Sequence, residues 1–197
     1  MIKLSILLYF TFAGYHVFSQ VDNNGTMLFN RISSFALVDT DTKDKSYISP
    51  KDKQLTLLVF LSPECPLCQN YTLTINQLRA KFSGQMNVYG IIPGNAYSIE
   101  DISNFEKKYH TTFKILIDST ISFTNYLKAT VTPQAILVDS RSQVIYTGAI
   151  DDWVQALGKK KSKATKQYVA DAVLQTLDKE PVKIKTTKAY GCKINDL

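Results

Sequence analysis

The sequence predicts an α/β protein, a three-layer sandwich with a central mixed sheet flanked by helices. Three observations carry this. Short apolar runs alternate with longer stretches of three- and four-residue apolar spacing, the order of strands and helices in an α/β fold. The run "QLTLLVFLS" is largely apolar and too short for a helix, which suits a strand covered on both faces. Two late strand-like runs, "TPQAILVDS" and "VIYTGAI", are separated only by the turn from Ser140 to Gln143, so they add an antiparallel pair.

At the N-terminus, Met1-Ile2-Lys3 precedes an apolar stretch from Leu4 to about Phe18, followed by Ser19 and Gln20. One positive charge, an apolar core and a small residue are the parts of a secretory signal peptide, so residues 1–19 are expected to be removed on export. The stretch is shorter than the ~20 residues of a membrane-spanning helix, although its retention as an anchor stays open. A lead over 20–34, a main domain over 35–180 and a tail over 181–197 carrying Cys192 are expected to follow.

Within the domain, "FALVDTDTKDKSYI" closes on a turn rich in Asp, Thr and Lys, as a strand or hairpin does. Past the strand ending near Leu61, Leu67, Tyr71, Ile75, Leu78 and Phe82 recur at helical spacing from Pro66, with Gly84 as the expected stop. "MNVYGII" is the next strand, ended by Pro93-Gly94. Ser98 is expected to cap a helix that has Glu100 and Asp101 in its first turn and Ile99, Ile102, Phe105 and Tyr109 on one face. "FKILID" is a third strand, and a short helix over 119–128 leads to the antiparallel pair. Tyr168, Val169, Ala172, Val173 and Leu177 place a last amphipathic helix over 165–177.

Hydrophobic residues make up 45% and charged residues 20% of the chain, a globular balance that excludes wholesale disorder. Net charge is +6, and ten lysines lie between Lys159 and Lys193 against Asp171, Asp178 and Glu180. Such a face suits an acidic or membrane-associated redox partner, and equally a solvated surface. Basic and aromatic residues do not interleave as in nucleic-acid modules, so no nucleic-acid partner is expected. No phosphate-binding glycine loop, serine triad or carboxylate pair stands out.

The cysteines carry the chemistry. "LSPECPLCQN" places Cys65 where a buried strand gives way to a helix, so unpaired backbone N–H groups and the helix dipole favour its thiolate. Pro66 fits the first turn, having no N–H to leave unpaired. Cys68 lies one turn further in. The expected result is an exposed, activated thiol and a sheltered resolving thiol, in an exported compartment where disulfides persist.

With these elements in place, the chain resembles the thioredoxin-like superfamily, and within it the exported redoxin, TlpA/ResA-like branch that overlaps AhpC/TSA. The resemblance runs from about Phe35 to Leu177 and is carried by "CPLC", "VTPQAILVD" and "VIYTGAIDD". In the second motif, Thr132-Pro133 matches the proline that those families hold in cis beside the cysteine pair. The resemblance implies a thioredoxin-like fold and a thiol-disulfide oxidoreductase, secreted or periplasmic. Cys65 would attack a partner disulfide and Cys68 would resolve the mixed disulfide. Pro133 would close over the thiolate, while the backbone of Thr132, with Pro66 nearby, would receive an extended substrate segment. Implied partners are protein thiols or disulfides and an external electron donor; no cofactor and no metal is expected.

Two departures from the family pattern bear on direction. Glu64 replaces a frequent Trp, and a carboxylate there is expected to disfavour the Cys65 thiolate and push the couple toward disulfide reduction. Val59 stands where thioredoxin has a buried acid. Other readings stay open. Ser62-Pro63-Glu64-Cys65 matches part of the peroxiredoxin motif, without the expected proline (Leu58 here) or an arginine near Pro133. Cys65, Cys68, Cys192 and His110 could make a metal site, as in copper-binding thioredoxin-like proteins. A structural staple over so few residues would gain little loop entropy. Cys192, in "TKAYGCKI", could resolve Cys65, shuttle electrons, pair between chains or stay a buried thiol, and Tyr190-Gly191 suits a turn returning it to the domain.

Overall fold

Residues 20–21, 27–28 and 32–194 are described by the computed structural model, so the expected signal peptide over 1–19 and most of the lead lie outside the described residues. Strands β1 (Gln20–Val21) and β2 (Met27–Leu28) form a short antiparallel pair. β3 (Leu37–Asp39) and β4 (Lys45–Ser46) are the expected hairpin, its turn closed by the Asp39 carboxylate, which accepts from the Asp41 N–H at 3.0 Å. Then come β5 (Leu55–Phe60), α1 (Pro66–Lys81), β6 (Met86–Pro93), α2 (Ile99–Tyr109), β7 (Lys114–Asp118) and α3 (Ser122–Tyr126). They are followed by β8 (Val131–Thr132), β9 (Gln134–Asp139), β10 (Val144–Gly148), β11 (Val154–Ala156), β12 (Lys159–Lys160), α4 (Tyr168–Leu177) and β13 (Cys192–Lys193).

Seven strands form one mixed sheet in the order β10-β9-β5-β6-β7-β3-β4. β5 lies third in this order, parallel to β6 and antiparallel to β9, and all six of its residues are buried. Alternation along β5 divides the core. Leu55, Leu57, Val59 and Leu61 face Ile75 and Leu78 of α1, Phe105 of α2 and Val169 and Val173 of α4. Leu58 and Phe60 face Phe123 of α3, with Ile32 and Ile48 from the preceding segments. The sheet is therefore the middle of three layers, the thioredoxin-like arrangement.

Several boundaries differ from the sequence reading, each for a local reason. α1 stops at Lys81, and Phe82 caps it through an N–H bond to the Leu78 carbonyl, so Gly84 lies in the turn beyond. α4 starts at Tyr168 rather than Thr165, because the Asp152 carboxylate accepts the N–H groups of Thr165 at 2.7 Å and Lys166 at 2.9 Å and holds them out of the helix. The hairpin of β11 and β12 carries no apolar alternation that the sequence could show. Ser98 caps α2 as expected, in a reciprocal capping box with Asp101.

The tail folds back onto the domain. Thr147 donates its N–H to the Lys185 carbonyl at 3.0 Å, and Thr187 donates to Thr147 at 3.1 Å, which extends the sheet beyond β10. Gly148 allows that approach: at φ +141 it has no side chain, where a Cβ would lie 2.3 Å from the Thr187 carbonyl oxygen. Beyond Tyr190 the chain reaches β8, and β13 pairs with it antiparallel.

Candidate active site

β5 delivers the chain into 61–65 and α1 receives it. Cys65 is the N-cap of α1 with extended backbone (φ −72, ψ 115), and Pro66 occupies the first turn. Cys65 accepts the Gln69 N–H on its carbonyl at 3.1 Å, so its thiol sits at the positive end of a 16-residue helix. Cys68, fully buried, is 3.7 Å from Cys65. Opposite them the Thr132-Pro133 peptide bond is cis, and Thr132 turns its carbonyl to Cys65 Sγ at 3.2 Å. The sequence-predicted Cys65, Cys68, Thr132, Pro133 and Pro66 thus converge on one spot.

Cys192 joins them, its Sγ 2.8 Å from Cys65 Sγ. The expected exposed nucleophile is consequently not found: Cys65 is only 2% exposed, because the tail covers it, whereas Cys192 remains partly open to solvent.

The three thiols differ in acidity. A hydrogen bond from Cys68, stronger than the opposing burial, and another from Cys192 pull Cys65 down to about 4. Burial, then the Cys65 thiolate, pushes Cys68 well above the ordinary thiol range. Burial followed by the same thiolate raises Cys192 to about 12. Cys65 has a partner in either form: as a thiol it donates to the Thr132 carbonyl, and as a thiolate it accepts from Cys68 and Cys192. Glu64 stands beside this arrangement rather than within it. Its side chain is exposed at the rim, where water screens it, and the two neighbouring thiols set the Cys65 charge instead.

Sequence reasoning missed Tyr97. Its hydroxyl bonds the Ser62 hydroxyl at 2.7 Å, and the Ser62 N–H donates to Cys68 Sγ at 3.4 Å. Burial raises the Tyr97 pKa against the lowering effect of the Ser62 hydrogen bond, and the charges of Glu64, Cys192 and Cys65 raise it further. Val59, in place of a buried acid, is packed core, which leaves the Ser62-Tyr97 pair as the hydroxyl network beside the thiols. No periodicity links positions 35 apart, so no sequence signal marked Tyr97. Asp151 was also missed. It is buried after β10 and accepts from the Tyr71 hydroxyl at 2.6 Å and the Trp153 N–H at 2.9 Å, and Trp153 packs edge-on against Tyr71.

His110 ends α2 in a left-handed conformation, with its carbonyl accepting from Asn76 at 2.8 Å. Among the described residues no group of three or more His, Cys, Asp or Glu side chains stands in metal-holding geometry. As for the peroxidase alternative, Tyr97 takes the Ser62 hydroxyl, and the segment that faces Cys65 is Thr132-Pro133, which holds no arginine. A cavity of about 650 Å³ opens beside the tail, between Val131, Gln134, Ile145, Lys185 and Ala189. Its walls contain no cysteine, so the sulfur cluster and not the cavity defines the site.

A thioredoxin-like sheet with a Cys-x-x-Cys pair at the first helix and a cis proline facing it defines the class of thioredoxin-like thiol proteins. The chain belongs to the Redoxin family, whose description matches residues 28–168. No curated protein matches it. Among solved structures, an uncharacterised protein of Sinorhizobium meliloti is 24% identical, with a TM-score of 0.72 over 81% of this chain and 89% of that one. A conserved protein of Geobacillus kaustophilus is 20% identical, with a TM-score of 0.70 over 81% and 87%. A secreted disulfide oxidoreductase of Mycobacterium tuberculosis, homologous to Escherichia coli DsbE, is 17% identical, with a TM-score of 0.51 over 58% and 81%. At these identities the likenesses establish the shared fold.

Proposed function

We propose that the protein is a thiol-disulfide oxidoreductase acting through Cys65 and Cys68. The observation that carries this is the geometry of the pair: Cys65 at the N-terminus of α1, buried Cys68 one turn away and 3.7 Å from it, and the cis Thr132-Pro133 bond facing them. Cys65 attacks a partner disulfide, the mixed disulfide forms, and Cys68 displaces the partner as its second thiol. Once β13 is displaced from it, the Thr132 backbone receives the partner's extended segment beside Pro133. Protein thiols or disulfides are the substrates, and an external donor or acceptor resets the pair. A membrane-associated donor fits the lysine-rich late segment.

The reductase direction expected from Glu64 lacks that support. A stabilised Cys65 thiolate favours the reduced pair, which moves the couple toward oxidation of its partners. Export, the fate of the disulfide oxidoreductase from Mycobacterium tuberculosis described as secreted, supplies a compartment in which such disulfides persist.

Trapping tests the reading. A Cys68→Ser, Cys192→Ser double variant has no second thiol to resolve the intermediate, so it should accumulate a mixed disulfide at Cys65 with a protein substrate. Cys65→Ser should exchange nothing. Turnover surviving in Cys65→Ser would overturn the assignment.

A further inference from the structure

The last described residues are built into the site rather than draped over it. Cys192 and Lys193 pair with Thr132 and Val131, and the Ile194 N–H donates to the Thr130 carbonyl at 3.1 Å. Gly191 passes so close to Thr132 that a Cβ there would lie 1.9 Å from its carbonyl oxygen. Ile194 is 2% exposed, seated in the core layer that holds Leu127 and Ala129. Each residue of "GCKI" except the outward Lys193 therefore has a physical reason: close approach, sulfur contact and apolar anchor. The strand lies where an extended substrate would add to Thr132, and it presents a cysteine to Cys65.

We infer that residues 191–194 are the chain's own substrate-like segment in this groove, and that Cys192 is a third redox cysteine forming a reversible disulfide with Cys65. The inference rests on the exchange reading of Cys65 and Cys68. Starting from the Cys65–Cys68 disulfide, deprotonated Cys192 attacks Cys65 Sγ. The Cys65–Cys192 bond forms as Cys65–Cys68 breaks, and Cys68 leaves as a thiolate that takes up the proton Cys192 released. No electrons enter or leave. The Ser62 N–H and the otherwise unpartnered, buried Thr132 hydroxyl stand ready for that thiolate.

The new disulfide puts the partly open Cys192 sulfur outward, with Cys65 as a leaving group of low basicity. An external dithiol then bonds to Cys192 Sγ and releases Cys65 as a thiolate. Its second thiol displaces Cys192, so the dithiol leaves oxidised and all three cysteines are reduced. Two electrons have passed from the dithiol to the chain.

Disulfide mapping tests this. The purified chain is equilibrated in dithiothreitol buffers of defined oxidation, free thiols are alkylated, and linked peptides are identified by mass spectrometry. Wild type should contain both Cys65–Cys68 and Cys65–Cys192, and Cys68→Ser should close almost entirely to an intramolecular Cys65–Cys192. Gly191→Val, which collides with Thr132, should lower the Cys65–Cys192 fraction at least about tenfold while keeping Cys65–Cys68. Cys68→Ser yielding only adducts or intermolecular disulfides at Cys65, or Gly191→Val keeping the wild-type fraction, would overturn the inference. Cys192→Ser separates the two readings. If it still forms Cys65–Cys68, such results overturn only the role of Cys192; if it forms no such bond, the exchange reading fails as well.

Discussion

Cys65 concentrates the chemistry into one sulfur. Its acidity comes first from the Cys68 hydrogen bond and next from Cys192, so each can be removed separately. Thiolate ultraviolet absorbance of the reduced protein should titrate with an inflection near about 4, against an ordinary thiol value of about 8.5. Cys68→Ser should move it upward most and Cys192→Ser less; an inflection in the ordinary thiol range for wild type would contradict the geometry. The sign for stability follows from the depressed value. The thiolate stabilises the folded, reduced chain fully above the unfolded thiol range, and this is lost as pH falls through the folded value. Urea midpoints of reduced wild type and Cys65→Ser should therefore converge toward acid and differ most near the ordinary thiol value of about 8.5, above which Cys68 and Cys192, raised by the same thiolate, ionise first in the unfolded chain and offset the gain. In the sequence the place of Cys65 was legible, because strand and helix each carry their own period. Its contact with Cys192 was not, since it spans 127 residues and is set by a tail without periodicity. The exposure of Glu64 was illegible for a related reason: sequence adjacency does not tell whether a charge faces the thiol or the water.

Elements with strong local signals formed where the sequence placed them, and two of them can be tested singly. The Ser98 capping box satisfies N–H groups at the start of α2, so Ser98→Ala should cost ~1 kcal/mol in urea unfolding. Tyr71 on α1 ties the helix to the loop after β10 through buried Asp151. Tyr71→Phe leaves that carboxylate with one partner fewer and should cost ~1–3 kcal/mol by the same measurement. The start of α4 was illegible because the Asp152 carboxylate, a tertiary partner, takes the N–H groups of Thr165 and Lys166, and the β11–β12 hairpin because it carries no apolar alternation. The tail is held in the same way, by distant partners. Truncating buried Ile194 to Ala removes an anchor of ~2–5 kcal/mol. Hydrogen exchange at the Ile194 amide and alkylation of Cys65 should both accelerate, whereas an unchanged Cys65 alkylation rate would show that the tail does not cover the thiol.

At the scale of the whole molecule, a Redoxin domain holds Cys65 just past the end of β5, beneath β13, the last strand among the described residues. The three-layer architecture was legible because parallel and antiparallel neighbours of β5 each left an apolar run. The closure of the site by the tail was not, because it depends on where three cysteines meet in space. This arrangement predicts a redox couple shifted away from thioredoxin's by the stabilised thiolate. The most direct measurement is the reduction potential of the Cys65–Cys68 pair, titrated against defined thiol-disulfide buffers. The account predicts a reversible two-electron couple less negative than thioredoxin's value of about −270 mV. No reversible couple, or one at or below that value, would contradict it.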